Sequence, residues 1–203
     1  MRNKQYARLR GANCELRIAA RVIDRRQALL RLLTVYQPTD QDEQRYRLEM
    51  LDLAAVAHDP FDRCQYQPGH FTASGFVIHP AGDRVLLIHH AKIGAWLQPG
   101  GHIDPGDRSP LAAATREIAE ETGVEAMTPV TEAVTDVDIH LFPGRGDQPE
   151  HRHFDIRFAF VAAGADLVSN HEVLEARWVA LTEIGELNPD RSVMRPVTKL
   201  LSD

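Results

Sequence analysis

From residue 16 to residue 33, Leu16, Ile18, Ala19, Val22, Ile23, Leu29, Leu30, Leu32 and Leu33 recur at mostly helical spacings among arginines. A period near 3.6 places them on one stripe and predicts one or two amphipathic helices. Pro38-Thr39-Asp40 interrupts the pattern, and Thr39 or Asp40 can cap a second helix over residues 42–57, which bears Tyr46, Met50, Leu51, Leu53 and Ala54. Asp59-Pro60 ends it.

After residue 65 the texture changes. FTASGFVIH and RVLLIHH have the β-branched and apolar content of strands, and Pro80-Ala81-Gly82-Asp83 between them reads as a hairpin turn. PVTEAVTDVDIHLF, HFDIRFAFVAA and LEARWVAL are also strand-like. A closing helix is expected over residues 192–201, with Pro196 marking a kink or a later start. The expectation is an α/β (α+β) fold with a helical segment over residues 1–65 and a second unit over residues 66–203.

With 43% hydrophobic and 26% charged residues of both signs, the 203-residue chain has the composition of a globular protein. A net charge of −6 argues against sequence-neutral affinity for nucleic acid or an anionic membrane, which needs clustered Lys and Arg. Small ligands are expected; if they are anionic, a cation or a local arginine must offset the repulsion. Cys14 and Cys64 stand far apart in no metal-ligand spacing, which fits a reducing, cytoplasmic setting. The basic N-terminus lacks a continuous apolar h-region, and no run approaches 18 apolar residues, so neither secretion nor membrane insertion is expected.

One stretch concentrates the chemistry: GGHIDPGDRSPLAAATREIAEETGV, residues 100–124. Ser109 suits an N-cap, Pro110 the first helical position and Gly123 a left-handed C-cap, which predicts a helix over residues 110–122. At roughly 100° per residue, Leu111, Ala114, Thr115, Ile118 and Thr122 share a packing side, while Glu117, Glu120 and Glu121 occupy an adjacent arc. Like charges at these spacings repel, and carboxylates at a helix C-terminus oppose the macrodipole. A hard divalent cation such as Mg²⁺ takes oxygen ligands and would relieve both costs. The plainer account is a solvated acidic face with Arg116 pairing Glu120 at i,i+4.

Gly101, five residues, Asp107, then Arg116-Glu117-Ile118-Ala119-Glu120-Glu121-Thr122-Gly123-Val124 resembles the Nudix box, the signature of the MutT-like Nudix hydrolases. HFTASGFVIH, RVLLIHHAKIGAWLQPGG and EARWVAL extend the resemblance over residues 66–203. The resemblance implies an α/β/α sandwich around a mixed sheet. It also implies Mg²⁺- or Mn²⁺-dependent hydrolysis of a pyrophosphate bond in a nucleoside diphosphate linked to another moiety. Metal would be held by Glu117, Glu120 and Glu121 with the carbonyl of Gly101, and Arg116 would brace the loop and its acids. Two features depart from the family pattern: the first acid is Asp107 rather than Glu, and eight residues rather than seven separate it from Arg116. Asp107 can therefore be a partner of Arg116 or a turn residue.

Such a cation neutralises phosphate oxygens and acidifies a bound water, and a general base must reach that water. Glu120 and Glu121 are the candidates, with the loop acids Glu150 and Glu172 as alternatives. His151, His153 and Asp155 fall on one face of a strand and form a candidate substrate-facing row; a satisfied surface strand is the plainer account. Trp96 and Trp178 suit packing, and the spacing of Arg84, Lys92, Arg152 and Arg157 singles out none as a phosphate ligand. The loop Pro143 to His151 can select substrate or simply connect strands. The alternative from another class is a non-catalytic Nudix-fold ligand-binding or regulatory module, from which box acids would be missing. An isomerase on this fold would need a reactive cysteine in the strand region. The N-terminal helices read as a packing or dimerisation appendage rather than a DNA reader, so the partners expected are a nucleotide-type small molecule and, for assembly, a second copy.

Overall fold

The computed structural model describes residues 24–168 and 173–200. Residues 24–35 form helix α1, and the predicted helical positions before it lie outside the described residues. Helix α2 is Gln41–Val56. Both proposed cap residues serve it: Asp40 accepts from the Glu43 N–H at 2.9 Å, and the Glu43 carboxylate accepts from the backbone and hydroxyl of Thr39 at 2.6 and 2.7 Å. Reciprocal bonds of this kind satisfy donors that a helix start otherwise leaves open.

Eight strands among the described residues build one mixed sheet. They are β1 Gly69–Ile78, β2 Arg84–His90, β3 Ala95–Leu97, β4 Gly100–His102, β5 Met127–Pro129, β6 Asp136–Phe142, β7 His151–Ala162 and β8 Val173–Ala180. Strand β1 runs parallel to β7 and antiparallel to β2 and β4, while β5 and β6 lie antiparallel to β7 and β8 antiparallel to β2. The run expected as one strand from Pro129 to Phe142 is split. Its chain bonds to β7 through the Val130 N–H on Ala159 and again through the Thr135 N–H on Arg157, and the exposed residues between bulge outward.

Helix α3, Pro110–Thr122, lies on one face of the sheet. Its Ile118 packs directly on Gly75 of β1, where an added Cβ would meet Ile118 Cδ1 at 2.6 Å. Phe71, Ala73, Val77, Phe154 and Phe158 join α3 in a core that also takes Leu29 and Leu33 of α1 and Met50 and Leu53 of α2. A smaller core gathers Phe76, Val85, Leu87 and Val179 against Ile184 of α4 (Ile184–Leu187) and Val193 and Val197 of α5 (Arg191–Leu200).

Pro196 lies inside α5 rather than at a later start. Proline lacks the N–H that would reach the carbonyl four residues back. That carbonyl, Ser192 O, instead accepts from Arg157 Nη1 at 2.6 Å. Arg157 is itself buried, paired with Asp136, Asp138 and Asp155 at 2.9–3.2 Å. Arg195 adds a 2.8 Å bond to Asp136, and Lys199 bonds both Asp136 and Glu43, so α5 is tied to β6 and α2 by charge as well as by packing.

Candidate active site

The site is assembled where α3 meets β4. Ser109 Oγ accepts from the Ala112 N–H at 3.1 Å, Pro110 opens the first turn, and Gly123 closes the helix at φ 73° with its N–H on Ala119 O. This geometry fixes the rotation of α3 and points its acids toward β4.

Arg116 organises the approach. Its Nε and Nη2 reach the two oxygens of Asp107 at 3.1 and 2.8 Å, and Nη2 also donates to the carbonyl of His102 at 2.9 Å. Asp107 accepts in addition from the Asp104 N–H at 2.7 Å. Asp107 is thus the bidentate partner of Arg116 and the keystone of the turn, despite the longer spacing. The bonds to Asp107, outweighing burial, hold the guanidinium above its ordinary range. From its other arm, Nη1 reaches Glu117 at 2.9 Å and Glu120 at 3.1 Å. The i,i+4 pair of the plainer account therefore exists, but as one branch of a larger brace.

The three glutamates differ in setting. Glu121 is 4% exposed, and its Oε2 accepts from the Gly100 N–H at 2.9 Å. Glu117 lies against β4: an added Cβ on Gly101 would sit 2.8 Å from its Oε2. Burial pushes the Glu117 carboxyl up, partly countered by Arg116 and reinforced by Glu120. The Glu120 side chain is 56% exposed and opens to solvent. Glu117 thus abuts Gly101, Glu121 the Gly100 N–H and Glu120 the Arg116 guanidinium, and the space that a side chain at residue 101 would need is taken by the Glu117 carboxylate. Carboxylate and carbonyl oxygens are hard donors, of a kind that fits Mg²⁺ or Mn²⁺ better than a softer ion.

The row on β7 divides. Asp155 is buried and accepts from Thr72 Oγ1 at 3.1 Å, Ser74 Oγ at 2.7 Å and Arg157 Nε at 2.9 Å. His151 and His153 instead meet His70 of β1 and His102 of β4. The His70 ring centroid lies 5.0 Å from that of His151, 4.9 Å from His153 and 5.1 Å from His102. Burial pushes His70 and His102 down to about 4 and His153 down to about 2, so these rings are neutral at pH 7. Nothing in the local sequence marks His70 or His102 for this cluster. Their convergence depends on the parallel register that sets His70 beside His153, which no local pattern encodes. Glu150 is exposed at the end of its loop, and Glu172 lies outside the described residues. Trp96 stacks on His89, and the Trp178 indole donates to Ala165 O, both packing roles.

Residues 69–201 match the family model described as the NUDIX domain. An RNA pyrophosphohydrolase of Erythrobacter litoralis is 33% identical over 126 residues, 55% of this chain and 76% of that protein. An 8-oxo-(d)GTP phosphatase of Mycolicibacterium smegmatis is 47% identical over 49 residues, 24% of this chain; the matched segment spans only 15% of that relative's length. Among solved structures, a Nudix-family hydrolase from Clostridium perfringens superposes with a TM-score of 0.51 at 25% identity, covering 66% of this chain and 96% of that one. With the box glycine, arginine and acids gathered at one junction and a family match over nearly two thirds of its length, the chain belongs to the Nudix hydrolase family.

Proposed function

We propose that the protein is a divalent-metal-dependent hydrolase that cleaves a pyrophosphate bond in a nucleoside diphosphate linked to another moiety. The observation that carries this reading is the seat at Gly100-Gly101, where Glu121 is held by a backbone N–H and Glu117 lies over the missing side chain of Gly101. Glu117, Glu120, Glu121 and the Gly101 carbonyl would hold Mg²⁺ or Mn²⁺. Bound there, the cation would neutralise phosphate oxygens and acidify a water.

The chain's own residues do the rest. Arg116 is a positioning residue: anchored on Asp107, it fixes where Glu117 and Glu120 point. Glu120 and Glu121 are the acids that can take a proton from the attacking water; Glu120 is the one open to solvent, whereas Glu121 is engaged by Gly100. Relatives named as acting on 8-oxo-(d)GTP and on RNA support a nucleotide-type substrate. We read the helices before residue 66 as an appendage that braces this domain through the shared core, and the protein as cytoplasmic.

Turnover in Mg²⁺ and in Mn²⁺ should be screened against ADP-ribose, sugar nucleotides, CDP-alcohols, dinucleoside polyphosphates, oxidised dNTPs and 5′-triphosphorylated RNA. One class is expected to be hydrolysed, and Glu121→Gln should lower kcat by about 100-fold or more, the scale of removing one preorganised charged group. Metal-independent turnover, or equal turnover by the variant, sinks the mechanism.

A further inference from the structure

The imidazole cluster behind β4 is unused by this mechanism. His70, His151 and His153 each present a ring nitrogen, and the three atoms lie within 4.8 Å of one another. His151 Nε2 and His153 Nε2 are 3.1 Å apart. A tetrahedral ion with metal–nitrogen bonds of about 2.0–2.1 Å holds neighbouring ligands roughly 3.3–3.4 Å apart. One edge of such a site is therefore already formed.

Two backbone carbonyls orient the rings. His70 Nδ1 lies 3.3 Å from Gln65 O, and His151 Nδ1 lies 2.7 Å from Pro149 O. A carbonyl can only accept, so each Nδ1 carries the proton and each Nε2 keeps its lone pair; that of His151 accepts from His153 Nε2–H, a proton that an incoming metal would displace. His70 is fully buried, and its Nε2 has no hydrogen-bond partner. A buried nitrogen left unpaired is costly, and a metal bond would satisfy it. The rings of Tyr66 and Phe142 pack against His151, and Phe142 also stacks on His153, so the site has an aromatic wall. The His102 ring adjoins His70 and His153 from β4.

From these contacts we infer a second metal site, in which His70, His151 and His153 bind a borderline transition-metal dication of the Zn²⁺ or Co²⁺ class. Its three imidazoles select against the hard Mg²⁺ expected at the glutamates. The fourth position falls to water or to His102. Such an ion would clamp β1 to the start of β7 and anchor the end of the 143–150 loop.

The test is a titration of the chelator-stripped full chain with Co²⁺ alone at pH 7.5, read by visible absorption. A low-coordinate nitrogen site gives intense bands, whereas six-coordinate carboxylate-bound Co²⁺ gives weak ones. One equivalent of intense absorption is expected in the wild type and in Glu117→Gln, and its loss in His151→Asn that stays folded by circular dichroism. Absence of the intense bands, or bands kept by His151→Asn and lost by Glu117→Gln, overturns the site. Should His151→Asn not fold, anomalous scattering from Zn²⁺-soaked wild-type crystals decides: a peak bonded to the three Nε2 atoms supports the site, and a peak only at the glutamates, or none, overturns it. Neither readout uses hydrolysis, so this inference and the hydrolase assignment stand or fall separately.

Discussion

Gly101 shows how much a single side chain can matter by being absent. Its backbone is unstrained, so the demand is for space: the Glu117 carboxylate occupies the position a Cβ would take. Gly101→Ala should displace Glu117 and weaken apparent metal affinity about 10–100-fold, comparable to disturbing a ligand's immediate support. The Mg²⁺ dependence of turnover measures this, and an unchanged Mg²⁺ midpoint contradicts it. The acids themselves were readable from the chain, because i,i+3 and i,i+4 spacing on a helix is local geometry. Their unequal burial was not. Glu121 is sheltered because Gly100, 21 residues earlier, donates to it, and that proximity exists only after β4 pairs with β1.

At the scale of elements, α3 is the best specified piece of the molecule. Ser109, Pro110 and Gly123 set both ends where the sequence places them, since each acts through its immediate neighbours. Ser109→Ala removes the bond to the Ala112 N–H and should cost about 1 kcal/mol, read as a lower denaturation midpoint with unchanged m-value. Cost near zero would mean that packing of Ile118 alone holds the helix start. The run around Val130 was misread as one continuous strand because Val and Thr content reports β-compatibility, not pairing. The four residues between Val130 and Thr135 face a single β7 position, Phe158, so Thr131, Glu132 and Ala133 loop out while Val134 turns back into the core. Pro196 misled for a related reason: a local penalty was visible, while its compensation came from Arg157, 39 residues earlier.

At the scale of the whole molecule, α1 and α2 share one core with the sheet, α5 packs in a second core on the same sheet, and a buried charge network joins α5 to α2. Glu43 is central to that network, fully buried and bonded to Tyr36, Thr39 and Lys199. Burial alone would raise its pKa, but pairing with the Asp136 carboxyl, which takes the proton of the pair, and the hydrogen bonds from Lys199, Tyr36 and Thr39 prevail and draw it down to about 2 from 4.5. A depressed carboxyl contributes stability above pH 4.5 and loses it as pH falls toward 2. Asp138 is also held low, by Arg157 against the effect of burial, and acts in the same direction; Asp136, pushed up by burial, opposes them. Unfolding free energy should therefore decline between pH 4.5 and 2, and Glu43→Gln should flatten that decline while costing about 3 kcal/mol at pH 7 by uncovering Lys199 and Arg195. Urea titrations across pH test both, and an unaltered slope in the variant refutes the role given to Glu43. None of this network was legible in the chain, whose charges along α2 and α5 look like ordinary helical surface until the two helices meet. Strand β4 sets Gly101 against the Glu117 carboxylate and His102 beside His70, so the two proposed ion sites meet on adjacent residues of one strand. A residue gained in the turn at 105–109 is absorbed by the Asp107–Arg116 pair, whereas the same gain inside β4 would set an imidazole against Glu117 and disrupt both proposed sites at once.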